Sequence, residues 1–308
     1  MPLRDTPAPA AMYDVLLAAQ APLVFRSGRP FGAGSRDGAN FPWPSSFAGL
    51  LRSATLAARG WPPILSDAQA AQLAGLAAQG PFLARREGGV PLTPLFARPA
   101  DAVRFFDAAG GRAVYRRLRP AKLPDDSHCD LPDDLQALSF AQPILAKPLA
   151  APDFWPLPRW LEWRRGVAID GEEAEEEPEA ASLAPLKATR THVALADATQ
   201  AADPGALFHS EGLDLDRRRI DGRFAASELV FLGRFAAELP PTHVVFGGKR
   251  RLSWLEPAPA AALAAPEEYL QALAGARRLT LTLLTPALFD DGWRPRWLRS
   301  GPCCAMAV

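Results

Sequence analysis

Hydrophobic and polar positions follow two patterns along this chain, one typical of strands and one typical of helices. The first apolar run, Tyr13–Phe25, is continuous enough to predict a strand at the centre of a sheet. A helix is predicted from about residue 46 to residue 59, because apolar residues recur there at three- and four-residue spacing, and Ser45 is predicted to cap it. Gly60 and the following prolines end that helix. The order of strand, glycine-rich loop and capped helix is typical of the opening of a ferredoxin-like unit.

Weaker patterns predict the remaining elements. Residues 80–85 and 90–96 resemble a pair of strands around a glycine turn, and residues 120–158 resemble a proline-rich, largely irregular arm. Short helices are predicted at 65–78, 160–165 and 266–274. A second set of strand-like runs lies at 189–195, 206–215, 243–246 and 278–284. Residues 224–231 fit a strand, and a helix almost as well.

The segment that separates the two sets of elements is strongly acidic. Seven acidic residues and no basic one lie between Asp170 and Glu179, whereas the whole chain has 34 of each sign. Such a run resists packing, so we expect a solvated linker at 169–184, and a mildly basic remainder. The predicted fold is α+β, with two ferredoxin-like (RRM-like, βαββαβ) domains with long loop insertions at 1–168 and 185–308. The proline-rich arm is an insertion in the first domain.

Composition argues against several classes of protein. Mean hydropathy is −0.05, and no stretch approaches the roughly 18–20 apolar residues of a membrane span, so we expect a cytoplasmic protein without membrane contact. The three cysteines, Cys129, Cys303 and Cys304, lack the spacing of a zinc site or a disulfide framework. The sequence contains no nucleophile, phosphate-loop or metalloprotease motif. We therefore expect no enzymatic activity, no cofactor and no metal.

Two elements combine glycine with basic residues. The first is Arg26-Ser-Gly-Arg-Pro-Phe-Gly before the predicted helix, and the second is Gly247-Gly-Lys-Arg-Arg251 after an apolar strand. Glycine allows backbone amides to approach a phosphate closely, and arginine and lysine pair with its oxygens. Either element can equally be a solvated basic turn that connects two secondary-structure elements.

The order of six segments adds a resemblance. The segments are FRSGRPFGAGS, FPWPSSFAGLLRSATL, GPFLARREGGVPLTPLFARPAD, RTHVALADATQAADPGALFHSEGLDL, VFGGKRRLSWLE and LTLLTPALFDDGW. In this succession the chain resembles RAMP-superfamily CRISPR proteins, and among them the subunit that binds the 5′ handle in the type III-B (Cmr) effector complex. The likeness extends over about residues 13–297. Relatives usually continue to a further strand, so the last strand of the second domain is expected to be missing, rerouted or supplied by a partner.

The resemblance implies a non-catalytic role in antiviral defence. Such subunits hold the 5′ handle of CRISPR RNA within a ribonucleoprotein and connect the large polymerase-like subunit to the backbone RAMP subunits. Carried over by position, the residues expected to face RNA are Arg26, Gly28, Arg29, Phe31, Ser45, Arg52, Arg190, His192, Gly247, Gly248, Lys249, Arg250 and Arg251.

Two alternatives stay open. A RAMP-type endoribonuclease that processes CRISPR repeat RNA would use a histidine such as His192 as its general base. A scaffold that binds only proteins would have lost the RNA contacts. The sequence predicts no cluster of a base and a cation that would favour the nuclease.

Overall fold

The apolar run near the start of the chain forms a strand, as predicted, and this strand lies inside an antiparallel sheet. The structure, a computed structural model, describes residues 11–26, 39–88, 91–121, 136–166, 186–215, 227–259, 261–277, 281–287 and 289. The chain divides into two units, the first from 1–94 and 185–285 and the second from 95–184 and 286–308.

In its described residues, the first unit contains ten strands and helices before and after a long insertion, besides a strand that crosses the unit boundary. Before the insertion come β1 (Tyr13–Ala19), α1 (Pro44–Ala58), α2 (Asp67–Ala74) and β2 (Ala78–Glu87), and β3 (Thr93–Ala97) spans the boundary between the units. The second unit continues with β4 (Ala102–Asp107), β5 (Arg112–Pro120), β6 (Leu138–Phe140), β7 (Phe154–Pro156) and α3 (Leu157–Arg165). The first unit resumes with β8 (Leu186–Leu195), β9 (Ala202–Asp214), β10 (Ser227–Phe235), β11 (Thr242–Val245), β12 (Leu252–Pro257) and α4 (Glu267–Ala274).

The sheet of the first unit has the strand order β11-β12-β1-β10-β2, with every described pairing antiparallel. β10 lies between β1 and β2, so β1, α1 and β2 form a split βαβ arrangement. Leu229, Val230, Phe231 and Leu232 of β10 are all at most 2% exposed, which explains why this strand takes a central position.

This topology bears on the predicted fold class. The α+β class is confirmed, but the pair of ferredoxin-like domains at 1–168 and 185–308 is not. β10, from the predicted second domain, is hydrogen-bonded between two strands of the predicted first domain. The apolar strand β10 thus finds its partners across the insertion. The predicted linker at 169–184 lies outside the described residues.

α1 covers one face of the central strands. Its apolar face, with Phe47, Leu50 and Leu51 buried, is the one predicted from the spacing. Phe47 lies so close to Gly233 of β10 that a Cβ at Gly233 would be 2.4 Å from its ring, so only glycine fits there. The predicted cap is wrong: Trp43 is the N-cap residue and Pro44 occupies the first turn, where proline is favoured.

The second unit has a core of aromatic residues. β4, β5 and β6 form an antiparallel sheet, and β3 pairs with β7. Tyr115, Trp155 and Trp163 are buried together, with ring centroids 5.0–6.5 Å apart. The arm predicted at 120–158 thus contains β6 and β7, two short strands.

One predicted strand is wrong in its described part. Residues 281–287 are irregular, and Leu281, Leu283 and Leu284 are exposed. Residues 278–280 and the end of the chain lie outside the described residues. Among the described helices, none has both the length and the apolar character needed to cross a membrane.

Candidate nucleic-acid interface

Three segments of the first unit meet beside the end of β9. Leu23 and Leu213 exchange both backbone hydrogen bonds, at 2.8 Å and 2.7 Å, which joins the segment after β1 to β9. The N–H of Gly248 donates to the carbonyl of Val24 at 2.7 Å. Residues 24–26, the β8–β9 hairpin and the Gly247–Arg251 loop are therefore neighbours, although they are far apart in sequence.

The Gly247–Arg251 loop begins on a buried aromatic anchor. Phe246 is 3% exposed, and its ring centroid lies 4.9 Å from that of Phe25. The N–H of Phe246 donates to the carbonyl of Arg251 at 2.9 Å, which closes the loop. Gly247 has a φ of 78° and a ψ of −176°, a conformation that is essentially restricted to glycine. A Cβ at this position would also lie 2.9 Å from the carbonyl oxygen of Val24.

Lys249 and Arg250 both have left-handed backbone conformations. Their φ angles are 59° and 52°, which is uncommon for residues other than glycine. Such conformations persist only where the surrounding structure holds them, and they concentrate at functional sites. The closed loop thus presents two consecutive cationic side chains from a constrained backbone, and both residues are exposed.

Lys249 is in direct contact with the β8–β9 hairpin. Its Nζ lies 2.8 Å from Nε2 of His192 and 3.2 Å from Oγ of Ser210. Nε2 of His192 is in turn 2.8 Å from Oγ of Ser210. Because a protonated lysine can only donate, Nε2 of His192 accepts, and the imidazole is neutral with its proton on Nδ1.

Several positive charges affect the pKa values of the residues in this cluster. The pKa of Lys249 is lowered by desolvation and then by the charges of Arg251, Arg26 and Arg190. The pKa of His192 is likewise lowered, first by desolvation and then by Lys249, Arg190 and Arg251. The positive charges of Arg190 and Arg251 thus lower the pKa of both groups. We call the surface formed by Arg26, Arg190, His192, Lys249 and Arg251 the cationic cluster.

A cleft adjoins the cationic cluster. It has a volume of about 590 Å³ and lies between residues 24–26, the start of α1 and the Gly247–Arg251 loop. Trp43, 45% exposed, contributes to its wall, and so do Ser46 and Ser53 of α1. A second cavity of about 510 Å³ shares Leu50, Ser53 and Val245 with the cleft and extends along α1 to His243.

The structure brings together most of the predicted site. Arg26, Arg190, His192, Gly247, Gly248, Lys249, Arg250 and Arg251 belong to the three neighbouring segments. Gly28, Arg29 and Phe31 lie outside the described residues. The other two predicted residues, Ser45 and Arg52, lie on α1.

Arg52 and Ser45 do not contribute to the cationic cluster. Nη2 of Arg52 donates to the carbonyls of Ala74 and Leu76, at 3.0 Å and 3.1 Å, so this arginine binds the end of α2. Ser45 is exposed in the first turn of α1, and its neighbour Ser46 is the residue that lines the cleft.

Sequence reasoning missed two residues of the site. Ser210 follows His209 in a strand-like run, and only the pairing of β8 with β9 reveals that it lies beside His192. Trp43 lies between two prolines at the start of α1, and no pattern in the sequence singled it out. Among the described residues, no group of three His, Cys, Asp or Glu side chains could hold a metal ion.

Fold and site together define an α+β protein with a cationic loop surface suited to an anionic ligand. The model of the family described as CRISPR-associated protein (Cas_Cmr3) matches residues 15–304. The chain belongs to this family, which confirms the predicted resemblance to a CRISPR protein of the Cmr complex.

Two solved structures contain chains with a distant likeness. They are described as "Cryo-EM structure of the Type III-B Cmr-beta bound to cognate target RNA and AMPPnP, state 1" and "Cryo-EM structure of the Type III-B Cmr-beta bound to cognate target RNA". Each match has 14% identity and a TM-score of 0.37, and covers 79% of this chain. The matches cover 62% and 63% of those chains, so this chain spans less than two thirds of their length. No curated protein matches.

Proposed function

We propose that this chain is a non-catalytic, RNA-binding subunit of a type III-B Cmr effector and holds the 5′ handle of CRISPR RNA. In this proposal it also connects the large polymerase-like subunit to the backbone subunits, within a cytoplasmic complex. Membership of the Cas_Cmr3 family supports the assignment to the effector. The observation that carries the RNA contact is the cationic cluster.

The cationic cluster favours an anionic ligand. Lys249 lies 2.8 Å from His192, and the charges that lower the pKa of Lys249 are those of three arginines. The positive charges of these arginines and of Lys249 repel one another, and a phosphate group between them would turn that repulsion into attraction. An RNA backbone offers a row of phosphates, and each neutralised phosphate releases counterions. A surface that holds RNA in this way needs no acid–base pair.

The test is a double substitution, Lys249→Ala with Arg251→Ala, measured by fluorescence anisotropy with handle-containing RNA. We expect the binding free energy to weaken by roughly 1 kcal/mol or more, about fivefold in affinity. The slope of log affinity against log salt should become shallower by about one to two units, because fewer counterions are released. Co-purification with the other effector subunits should be unaffected.

The matched control is Lys187→Ala with Arg59→Ala, which also removes two exposed cations from the first unit. Lys187 lies on β8 at odd spacing from Arg190 and His192, so its side chain is on the opposite face. We expect its affinity and salt slope to stay near those of the unsubstituted protein. Equal losses in the two double variants would reduce the effect to net charge and remove the cluster from the RNA site.

One observation favours the endoribonuclease alternative. His192 has a lowered pKa and lies beside a cation, which is the kind of cluster a general base requires and which the sequence did not reveal. Lys249, however, donates to the same nitrogen that would have to accept the proton of a 2′-hydroxyl. We expect denaturing gels of the binding reactions to contain intact RNA. Metal-independent cleavage that His192→Ala abolishes and Lys187→Ala leaves in place would establish the alternative instead.

A further inference from the structure

We propose that the cleft beside the cationic cluster binds one nucleobase of the RNA, stacked on the indole ring of Trp43. This inference rests on the proposed function, since it adds a base-binding subsite to a phosphate-binding surface. It identifies Trp43, Ser46 and Ser53, none of which the sequence indicated, as residues that contact the RNA.

The walls of the cleft have the chemistry that a nucleotide requires. Its volume of about 590 Å³ falls within the range of about 300–1,000 Å³ that is usual for small-ligand sites. Buried Phe25, Phe246 and Leu50 give it an apolar floor, and the exposed hydroxyl residues Ser46 and Ser53 line one side. An apolar floor with a few hydroxyl groups suits the face and the polar edge of a base.

The position of the cations gives the nucleotide an orientation. Arg26 and Lys249 line the same cleft, and both belong to the cationic cluster. A phosphate held by these two residues would place its own base, or that of the next nucleotide, toward Trp43. Splayed bases that stack on aromatic side chains while cations hold the backbone are typical of single-stranded RNA recognition.

Trp43 is well placed for stacking because its backbone is fixed while its ring is accessible. Its carbonyl accepts hydrogen bonds from the N–H groups of Ser46 and Phe47, at 3.0 Å and 3.2 Å, in the first turn of α1. Pro44 follows it directly and restrains the chain. The side chain is nevertheless 45% exposed, which is a large apolar surface to leave in water beside a row of cations.

The experiment compares two probes with the full chain: a short, mixed-sequence, single-stranded RNA and the same ribose-phosphate backbone without bases. Trp43→Ala should weaken binding of the RNA between about fivefold and a hundredfold, because a stacked base is lost. Binding of the abasic backbone should be unchanged, and so should the salt slope. Trp43→Phe, which keeps an aromatic face, should retain most of the affinity for RNA.

Trp61→Ala is the matched control. Trp61 follows the other end of α1, and its ring contacts the guanidinium group of Arg59 at 4.9 Å. The fifteen residues of α1 separate the two tryptophans by roughly 20 Å. This variant should bind both probes as the unsubstituted protein does.

The outcomes separate this inference from the proposed function. If Trp43→Ala weakens both probes equally, or neither, the base subsite is refuted, whatever the cationic cluster does. If Lys249→Ala with Arg251→Ala leaves both probes bound as before, the proposed function fails on its own evidence. Loss of RNA binding alone in Trp43→Ala, with loss of both probes in the cationic double variant, supports both.

Discussion

Two groups of arginines, one in each unit, lie in opposite electrostatic surroundings. In the second unit, Arg117 and Arg159 are enclosed by the aromatic core: Arg117 lies 4.1 Å from the ring centroid of Trp163, and Arg159 lies 4.8 Å from that of Trp155. In the first unit, the positive charges of Arg26 and Arg190 lower the pKa of Lys249.

The partners of each cation decide what it can do. Arg117 donates to the carboxylate of Asp101 at 3.1 Å and to the carbonyl of Trp163, so its charge is compensated within the protein. Burial lowers the pKa of both Arg117 and Arg159, as expected for cations that contribute to a core. In the cationic cluster, Arg190 and Arg251 instead add positive charge that lowers the pKa of both Lys249 and His192. The number of arginines therefore indicates little about RNA binding, whereas the charges around each arginine indicate much more.

The largest effect that the comparison predicts is a loss of stability in the second unit. Arg117→Ala leaves Asp101, which is 5% exposed, without its cation, although Nε1 of Trp163 still donates to it at 2.9 Å. We expect the free energy of unfolding to fall by about 3 kcal/mol, since an uncompensated buried charge remains. Urea denaturation followed by tryptophan fluorescence measures the loss, and RNA affinity should not change.

Arg116→Ala is the control for that substitution. Arg116 is the preceding residue of β5 and is exposed, so its removal should change stability by less than about 0.5 kcal/mol. A loss of RNA affinity in Arg117→Ala that exceeds its loss of stability would contradict the assignment of this arginine to the core.

A smaller effect is expected where the first unit constrains its loop. Gly247→Ala would put a Cβ 2.9 Å from the carbonyl oxygen of Val24, in a backbone conformation that alanine rarely adopts. We expect a loss of about 2 kcal/mol in stability and a weaker affinity for RNA, because the loop that carries Lys249 must shift. Thermal denaturation and anisotropy on the same samples check both effects.

Gly248→Ala offers a close comparison, since its Cβ would lie 3.3 Å from the same oxygen. Gly248 has no left-handed φ, so its substitution should cost less stability. Equal effects of the two substitutions would show that the conformation of Gly247 does not position the cations.

Local patterns predicted the positions of helices and strands better than they predicted which strands pair with each other. The spacing of Phe47, Leu50 and Leu51 predicted α1, and the apolar residues of β10 allowed a strand. The insertion of β10 between β1 and β2 could not be predicted, because it depends on pairing between residues at least 140 positions apart. The acidic segment indicated a domain boundary because each half of the sequence, taken by itself, does not reveal the strand pairing between the halves.

The same limit applies to the site. Glycine beside cations predicted the Gly247–Arg251 loop, since that signal is contained in five consecutive residues. The contact of Lys249 with His192 and Ser210 required β8 and β9 to pair and Leu23 to join them to the sheet. The position of Arg52 could not be predicted for a similar reason, because its acceptors are the carbonyls at the end of α2.

The smallest effect concerns the pH dependence of RNA binding. In the free protein, desolvation and the charges of Lys249, Arg190 and Arg251 hold the pKa of His192 below its ordinary value of 6.5, and Ser210 is its neutral neighbour on β9. A bound phosphate offsets those charges and raises the pKa of His192, so the complex binds more protons than the free protein does. Affinity should therefore rise as pH falls, starting near the pKa of the complex and levelling off below that of the free protein.

We expect this rise to stay within about fivefold, because ion pairs at exposed positions are weak. Anisotropy titrations from neutral pH down through the range below 6.5 measure it. His192→Gln should flatten the profile, since the glutamine cannot take up a proton. His209→Ala is the control, because His209 is exposed and lies near Thr191, one position along each strand from the His192–Ser210 pair. Two results would mean that no phosphate contacts His192: a flat profile in the unsubstituted protein, or a profile that His209→Ala flattens equally. The distinction between the two kinds of arginine would then lose its functional meaning.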